Sequence, residues 1–234
     1  MKMNSSSFVE EIMKVPASTQ AAGAAPNFAE FLIEGARAGK KRDRTEAAIS
    51  AAASRLLDQV ALSALTISDI CKEANVAVGT FYLYFPDRNA LLEKLLLGFI
   101  GFIQTTMLRA SRTTDGAERI WHTTAAYYDL FAANQGLMKC LVSRTEDVPQ
   151  ATRVFQKLNH EWITTVVVSL RRRKQGPELP DDEFFRCAYA MGGMVDQYLT
   201  ALLLNEDPDL MRLSANRETT VNTLSELWKK GLLT

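Results

Sequence analysis

Side chains that can donate hydrogen bonds to phosphate oxygens are concentrated between residues 65 and 92. Thr66 and Ser68 carry hydroxyl groups at the predicted start of a helix, where the backbone N–H groups and the helix dipole also favour an anion. Tyr82 and Tyr84 add two phenol donors further along the same segment. The two hydroxyl groups at the helix start suit a phosphate oxygen.

Groups that could support catalysis or hold a metal are present, but their spacing suits neither task. His122, His160, Asp129 and Cys140 stand in no nucleophile elbow, metal-ligand spacing or glycine-rich phosphate loop. The three cysteines lie far apart in apolar helical contexts, which argues against a disulfide or a zinc site. We therefore expect a protein that is not an enzyme and that uses no metal or cofactor.

The phosphate-binding side chains need two short helices and a tight turn to position them, and the sequence predicts these elements. Thr66 can cap the first helix, with Asp69 three residues later in the capping-box position. Asn75 tolerates the left-handed backbone conformation with which many helices end. The second helix must stop before Phe85, because the ring of Pro86 disfavours helical geometry in the preceding residue. This arrangement is typical of a helix-turn-helix.

The segment resembles the signature of the TetR family of bacterial transcriptional regulators. The similarity rests on DIxxxAxV at residues 69–76 and on VGTFYLYF at residues 78–85, followed by a long leucine-rich helix. Asn75 replaces a common glycine and can still adopt the turn, whereas Ala77 replaces a common serine cap at a cost of about 1 kcal/mol. The resemblance implies an all-α fold, with an N-terminal three-helix helix-turn-helix DNA-binding domain and a C-terminal helical domain for ligand binding and dimerisation.

The resemblance also implies that the second helix of the motif enters the major groove of DNA, where base edges carry a full donor and acceptor code. The expected DNA contacts are Lys41, Arg42, Arg44, Thr66, Ser68, Val78, Gly79, Thr80, Phe81, Tyr82, Tyr84 and Arg88. Two alternatives stay open, namely that Phe81 and Tyr84 are core residues and that residues 40–44 are a solvated run of charge. Because the recognition helix lacks Arg, Asn and Gln, we expect recognition of DNA shape and a contribution from the basic residues.

Composition and charge restrict the class of protein. The 234 residues are 47% hydrophobic and 23% charged, which is enough apolar material for a full core. The formal net charge is zero, so attraction to DNA must come from local clusters such as KKRDR at residues 40–44. The longest apolar run, at residues 95–103, is far shorter than a membrane span. We expect a cytoplasmic protein.

Helix breakers and apolar periodicity predict the organisation of the chain. We expect a flexible N-terminal extension at residues 1–40, in which residues 27–38 could form a short helix, a DNA-binding domain at 41–88, and an effector-binding and dimerisation domain at 89–234. The first helix of the DNA-binding domain should bury a stripe that includes Ile49, Leu56 and Val60. Further helices are predicted at residues 87–112, 116–134, 136–143, 149–173, 181–205 and 209–232.

The C-terminal domain is expected to hold an effector pocket and a dimer interface. Aromatic side chains with scattered polar groups suit an apolar or aromatic ligand, and the candidates are Trp121, His122, Tyr128, Phe131, Phe155, Asn159 and Trp162. Small and apolar residues on the last two predicted helices suit a four-helix interface, with candidates Ala188, Gly192, Val195, Leu224 and Trp228. Both sets have the alternative of being ordinary core residues.

The resemblance thus implies a repressor that binds a palindromic DNA operator as a homodimer and is released by a small effector. The alternative is a helical protein-interaction module whose helix-turn-helix no longer binds DNA. The missing cap at Ala77 and the neutral net charge favour that alternative slightly.

Overall fold

The computed structural model describes residues 26–112, 116–143, 149–172 and 178–232. Within these ranges the regular secondary structure is helical and no strand occurs, which confirms the predicted all-α fold. The predictions for residues 1–25 lie outside the described residues, as does most of the interval 174–180 between the helices predicted at 149–173 and 181–205.

The helices follow one another with short connections. Their bounds are α1 Phe28–Gly35, α2 Lys41–Leu57, a 3-10 turn Leu62–Ala64, α3 Ile67–Glu73, α4 Val78–Phe81, α5 Arg88–Arg112, α6 Gly116–Ala133, α7 Gln135–Val142, α8 Pro149–Arg172, α9 Asp181–Leu199 with a π-helical continuation Thr200–Leu204, α10 Pro208–Leu213 and α11 Arg217–Leu232.

The chain forms two compact units. The first contains the described residues up to Thr105 together with Ala132–Thr152, and the second contains Thr106–Phe131 and the described residues from Arg153 onward. The expected domain boundary after residue 88 therefore falls inside the first unit, because the first half of α5 belongs to its core. Helices α5, α6 and α8 each begin in one unit and end in the other.

The core of the first unit forms where α2 packs against α1, α3 and α7. The predicted stripe of α2 is correct at Ile49, which is fully buried, and wrong at Val60, which is 38% exposed. Helix α2 ends at Leu57, so Leu57 takes the buried position that the periodic pattern assigned to Val60.

Helix α5 supplies the longest apolar face of this core. Asp87 caps it, since Asp87 Oδ1 accepts the Ala90 N–H at 2.8 Å. Its length and composition alone would suit a membrane span, but 61% of its apolar window is buried within the protein. Its buried side chains in the first unit are Leu91, Leu92, Leu95, Leu96, Phe99, Ile100, Phe102 and Ile103, and Met107 is buried in the second unit.

Part of the expected flexible extension is helical. Helix α1 lies within the predicted range 27–38, is capped by Asn27, and buries Phe28 completely. The ordered first unit therefore begins well before residue 41.

The core of the second unit is built around α8, α9 and α11. Ile163, Val167, Phe184, Ala188 and Leu232 form a buried cluster, on which Trp228 also packs. The helix predicted at residues 209–232 is interrupted, which corrects the sequence-based expectation. Ser214 leaves helical geometry at φ −106° and ψ 53°, and Asn216 starts a new helix by accepting the Thr219 N–H at 2.9 Å.

Helix α7 begins in direct contact with the last turn of α2. The Gly136 N–H donates to Asp58 Oδ1 at 2.8 Å. A Cβ atom on Gly136 would lie 2.2 Å from the carbonyl carbon and oxygen of Leu57. Only glycine permits this close approach of the two helices.

We expect Gly136→Ala to destabilise the protein by about 1–3 kcal/mol, because α7 must move away from α2 to accommodate the methyl group. Urea-induced unfolding measures this change. Gly35→Ala is the matched control, since a Cβ at Gly35 meets nothing within 4 Å. Equal changes in the two variants would contradict the interpretation.

Candidate nucleic-acid interface

The turn between α3 and α4 has the geometry that the sequence predicts. Thr66 caps α3, since its Oγ1 accepts the Asp69 N–H at 3.1 Å. Asn75 has φ 53°, the left-handed conformation expected of it. The Val76 N–H then donates to the Cys71 carbonyl at 2.9 Å, which closes the end of α3. Local hydrogen bonds thus fix the angle at which α4 leaves α3.

The recognition helix ends four residues before Phe85, earlier than the predicted stop at that residue. Helix α4 covers Val78–Phe81, and the next residues continue as turns in which the Leu83 N–H donates to the Thr80 carbonyl at 3.1 Å. Ala77 precedes the helix without a side-chain cap. The helix is short because its N-terminus lacks a side-chain cap and because Pro86 follows soon after its C-terminus.

Phe81 is a core residue, which corrects the prediction that it contacts DNA. It is fully buried, with its ring 5.5 Å from the ring of Tyr82 and 5.6 Å from that of Phe85. A side chain without exposed surface cannot reach a base edge. Phe81 instead anchors α4 to the first unit.

Next to this anchor, three apolar side chains remain in solvent. Val78 is 47% exposed, Tyr82 54% and Leu83 75%. Exposed large apolar side chains grouped in one short segment are a feature of many interaction surfaces. Leu83 was not among the predicted contacts, because periodicity alone gives no reason to select an apolar side chain that faces water.

The other polar candidates of the motif are accessible to different degrees. Thr66, Ser68 and Gly79 are exposed, whereas Thr80 and Tyr84 are partly buried. A Cβ atom on Gly79 would meet nothing within 4 Å, so the backbone at this point is open to a close approach. These residues can offer hydroxyl and phenol donors around the apolar patch.

Arg88 has a structural role that the sequence did not indicate. Its Nη1 donates to the carbonyl oxygens of Leu62 at 3.3 Å and Leu65 at 3.0 Å. These bonds tie the start of α5 to the turn that precedes α3. Arg88, one of the predicted DNA contacts, therefore also positions the helix-turn-helix.

The predicted cations of α2 lie at its first turn. Lys41, Arg42 and Arg44 are all exposed, and Arg44 Nη1 donates to the Gly39 carbonyl at 3.0 Å. Cations at a helix N-terminus oppose the helix dipole. Their presence there favours a surface that meets an anion.

In the second unit, the first expected pocket residues lie on α6 and contact α11. Trp121 Nε1 donates to Asn222 Oδ1 at 2.7 Å, and the guanidinium of Arg217 lies 5.9 Å from the Trp121 ring centroid. His122 packs edge-on against Trp121 at 5.1 Å. The indole nitrogen is thus already bonded within the chain.

Two further polar pairs fix α6. Arg217 Nε and Nη2 donate to the two carboxylate oxygens of Asp129 at 2.6 and 2.7 Å, a bidentate arrangement. Tyr127 Oη donates to Asp196 Oδ1 on α9 at 2.7 Å. Burial raises the pKa of Asp196 to about 6, and burial together with the Asp196 charge raises the pKa of Tyr127 well above its ordinary value.

The remaining pocket candidates differ in exposure. Phe131 and Phe155 are buried, while Tyr128, Asn159 and Trp162 are partly buried. The two buried phenylalanines are packed as core residues. The three partly buried side chains keep accessible surface that a ligand could contact. Within the described part of the chain, no three His, Cys, Asp or Glu side chains form a group suited to a metal ion.

Three of the predicted dimer residues are buried within their own chain, whereas Gly192 and Trp228 are partly buried. Ala188 and Leu224 are fully buried, and Val195 is buried. A Cβ on Gly192 would lie 3.5 Å from Ile163 Cδ1, so Gly192 faces α8, and Trp228 packs on the core cluster. For the three buried residues, the alternative of ordinary core residues is the one that the structure supports.

Several residues that fix this geometry were missed by the sequence analysis. Asp58, Asn134 and Arg217 each bond to a residue more than 70 positions away. For Asp196, the sequence offers one indication of a structural role. It is an acidic residue next to Val195, which is buried, in a helix that is otherwise largely apolar at this point.

Comparison with known proteins agrees with this geometry. The family model described as "Bacterial regulatory proteins, tetR family" matches residues 49–95, which include the second half of α2 and the helix-turn-helix. The HTH-type transcriptional regulator EthR of Mycolicibacterium smegmatis is 24% identical over 193 residues, covering 81% of this chain and 87% of that protein.

Solved structures show the same fold over most of the chain. The fatty acid degradation regulator FadR of Bacillus halodurans aligns with a TM-score of 0.62 at 18% identity, covering 80% of this chain and 97% of that one. FadR of Bacillus subtilis, in complex with stearoyl-CoA, aligns with a TM-score of 0.58 at 19% identity, covering 76% and 96%.

We expect Asp196 to make stability depend on pH. Its pKa of about 6 lies above the ordinary value of 3.8, so the folded state binds the proton more tightly than the unfolded state. The stabilisation by the proton is complete below about pH 4 and is lost as the pH rises through 6. Asp196→Asn, which keeps an acceptor for Tyr127, should be as stable as the wild type or more stable at pH 7.5. Lowering the pH to 4.5 should stabilise the wild type by about 1–3 kcal/mol relative to this variant.

Urea unfolding at pH 7.5, 6.0 and 4.5 measures the difference. Asp182→Asn, at an exposed site on the same helix, is the control and should follow the pH profile of the wild type. Parallel profiles for Asp196→Asn and the wild type would show that this carboxyl is not the titrating group.

Proposed function

On the premise that this chain belongs to the TetR family of bacterial regulatory proteins and is a DNA-binding transcriptional regulator, we propose that it is a repressor. It binds a palindromic operator as a homodimer and leaves the DNA when a small, largely apolar or aromatic effector binds. The exposed patch of Val78, Tyr82 and Leu83 beside the buried Phe81 anchor is the observation that carries the proposal.

The patch and its polar neighbours suit the major groove. Val78 and Leu83 offer apolar surface to thymine methyl groups, and Gly79 lets the backbone come close to base edges. Thr80 supplies a hydroxyl and a methyl group, and the Tyr82 phenol donates to a phosphate. Without bidentate side chains in α4, specificity depends partly on the shape of the DNA.

Dimerisation brings two such patches to one operator, about 34 Å or a multiple of that distance apart. Because the inward face of α9 is used by the core, the interface must use side chains that remain exposed. Tyr189 and Gly193 on α9 and Leu227 on α11 satisfy this condition. A symmetric pairing of these faces would cover their apolar surface.

The effector is proposed to bind in the second unit, where α6 and α8 carry partly buried aromatic and polar side chains. The stearoyl-CoA complex of Bacillus subtilis FadR, which has the same fold, supports an apolar ligand. An effector that binds better to a form with displaced recognition helices would release the DNA. A regulator that acts on chromosomal DNA in a bacterium is expected in the cytoplasm.

The competing proposal is a helical interaction module that no longer binds DNA, which the absent cap at Ala77 favours. Salt dependence separates the two. For a DNA-binding repressor, the logarithm of the binding constant falls linearly with the logarithm of the salt concentration, with a slope of about −0.9 for each phosphate contact. A slope near zero on a palindrome selected from random DNA would favour the interaction module.

Substitution of the recognition residues tests the assignment of the interface. Thr80→Ala and Tyr82→Ala should each weaken operator binding about 10- to 100-fold, because each removes a direct contact. Thr80→Ala should also relax the preference at one base pair. Tyr82→Ala should weaken all sequences alike without changing the salt slope, since a phenol carries no charge.

Fluorescence anisotropy with labelled operator measures these affinities, and size-exclusion chromatography verifies that the dimer persists. Met211→Ala, at an exposed site on α10, is the control and should bind like the wild type. Wild-type affinity in both Thr80→Ala and Tyr82→Ala would refute the proposed interface.

A further inference from the structure

Helix α1 precedes the helix-turn-helix and packs against α5 through an aromatic cluster. The ring of Phe28 lies 5.4 Å from the rings of both Phe99 and Phe102. The ring of Phe31 lies 4.8 Å from that of Phe102. Contacts of this geometry are favourable beyond the area they bury, and they hold α1 in one position on the first unit.

Two asparagines, Asn27 and Asn134, hold the first residues of α1, and we call this pair the asparagine clamp. Asn134 Oδ1 accepts the Phe28 N–H at 2.7 Å, and Asn134 Nδ2 donates to the Pro26 carbonyl at 2.8 Å. Asn27 Nδ2 donates to the Ala133 carbonyl at 3.0 Å, while its Oδ1 caps α1. Asn134 is only 2% exposed, so water cannot easily replace these bonds.

A short connection carries α1 directly into α2. The Gly39 N–H donates to the Ala36 carbonyl at 2.9 Å, and the Lys40 N–H donates to Asp43 Oδ2 at 2.9 Å. Arg44 Nη1 returns to the Gly39 carbonyl at 3.0 Å. The connection is closed by its own hydrogen bonds, so the position of α1 determines the position of the first turn of α2.

That first turn carries more cations than anions. Lys40, Lys41, Arg42 and Arg44 are exposed there, and Asp43 is the acid in the turn. The helix dipole disfavours cations at this end, and the first N–H groups of a helix lack partners within the helix. A turn of this kind gains stability when it contacts a phosphate.

We infer that α1, held by the asparagine clamp, positions the cationic first turn of α2 against DNA phosphates, which makes Asn134 a positioning residue for operator binding. The inference rests on the proposed function, since it requires the first unit to bind DNA. When α1 leaves its place, the first turn of α2 loses its support from the N-terminal side. The cations then no longer hold fixed positions along the DNA backbone.

The test compares full-length Asn134→Ala and Phe31→Ala with the wild type. Asn134→Ala removes hydrogen bonds to the start of α1, and Phe31→Ala removes an aromatic contact with α5. Because the two variants act at different contacts, one remains informative if the other fails to fold. Ile33→Ala, at an exposed site on α1, is the matched control. Operator affinity is measured at several salt concentrations on a palindrome selected from random DNA, and amide hydrogen exchange is followed in residues 36–46.

We expect Asn134→Ala and Phe31→Ala to bind about tenfold more weakly, with a salt slope reduced in magnitude by about 1–2, the value for one or two lost phosphate contacts. Exchange in residues 36–46 should accelerate in both variants. Ile33→Ala should match the wild type in all three measurements.

A double-mutant cycle separates positioning from general destabilisation. Lys41→Ala combined with Arg42→Ala should reduce the salt slope by about 2, and adding Asn134→Ala should change it little further. Two results would overturn this inference and leave the proposed function intact. One is that the reductions of the salt slope add up in the combined variant, and the other is that folded Asn134→Ala and Phe31→Ala keep the wild-type slope. A wild type that binds DNA without salt dependence would overturn the proposed function as well.

Discussion

The buried amide of Asn134 is the constraint on which the first unit depends. An amide removed from water must pair both its oxygen and its nitrogen, and the start of α1 supplies both partners. Two residues later, Gly136 lets α7 approach the backbone of Leu57. The junction between α6 and α7 therefore holds the beginning of α1 and the end of α2 at once. Because α3 packs on α2, the placement of the recognition segment depends on this junction.

The helix-turn-helix could be predicted because the interactions that shape it are local. The Thr66 cap spans three residues, the left-handed Asn75 is a property of one residue, and Pro86 acts on its neighbour. The buried face of α5 was predictable for a related reason, since one apolar stripe repeats over several turns. In each case the sequence within a few residues contains the complete physical cause, and the structure adds only its placement.

The rest could not be predicted because periodicity reports that a face is buried but not what covers it. Ala188 and Leu224 have the pattern of an interface and lie in the core of their own chain. Phe81 and Leu83 are both apolar residues of the recognition segment, yet one is fully buried and the other 75% exposed. Hydrogen-bond partners that are far apart in the sequence cannot be predicted from periodicity either. The Asn134 side chain, for example, bonds to Pro26, 108 residues earlier.

Helix α6 shows what this long-range pairing does to the fold. Toward its C-terminus, Tyr127 and Asp129 bond to Asp196 and Arg217 in the second unit, whereas Asn134, just after the helix, bonds within the first. Tyr127 and Asn134 are seven residues apart, about 10 Å along a helix axis. Helix α6, with the residue that follows it, thus supplies polar contacts to both units, and the partner of each lies at least 69 positions away in the sequence. No periodic pattern or short motif marks such partners, so the sequence around α6 predicts a helix there but not the bonds that hold it.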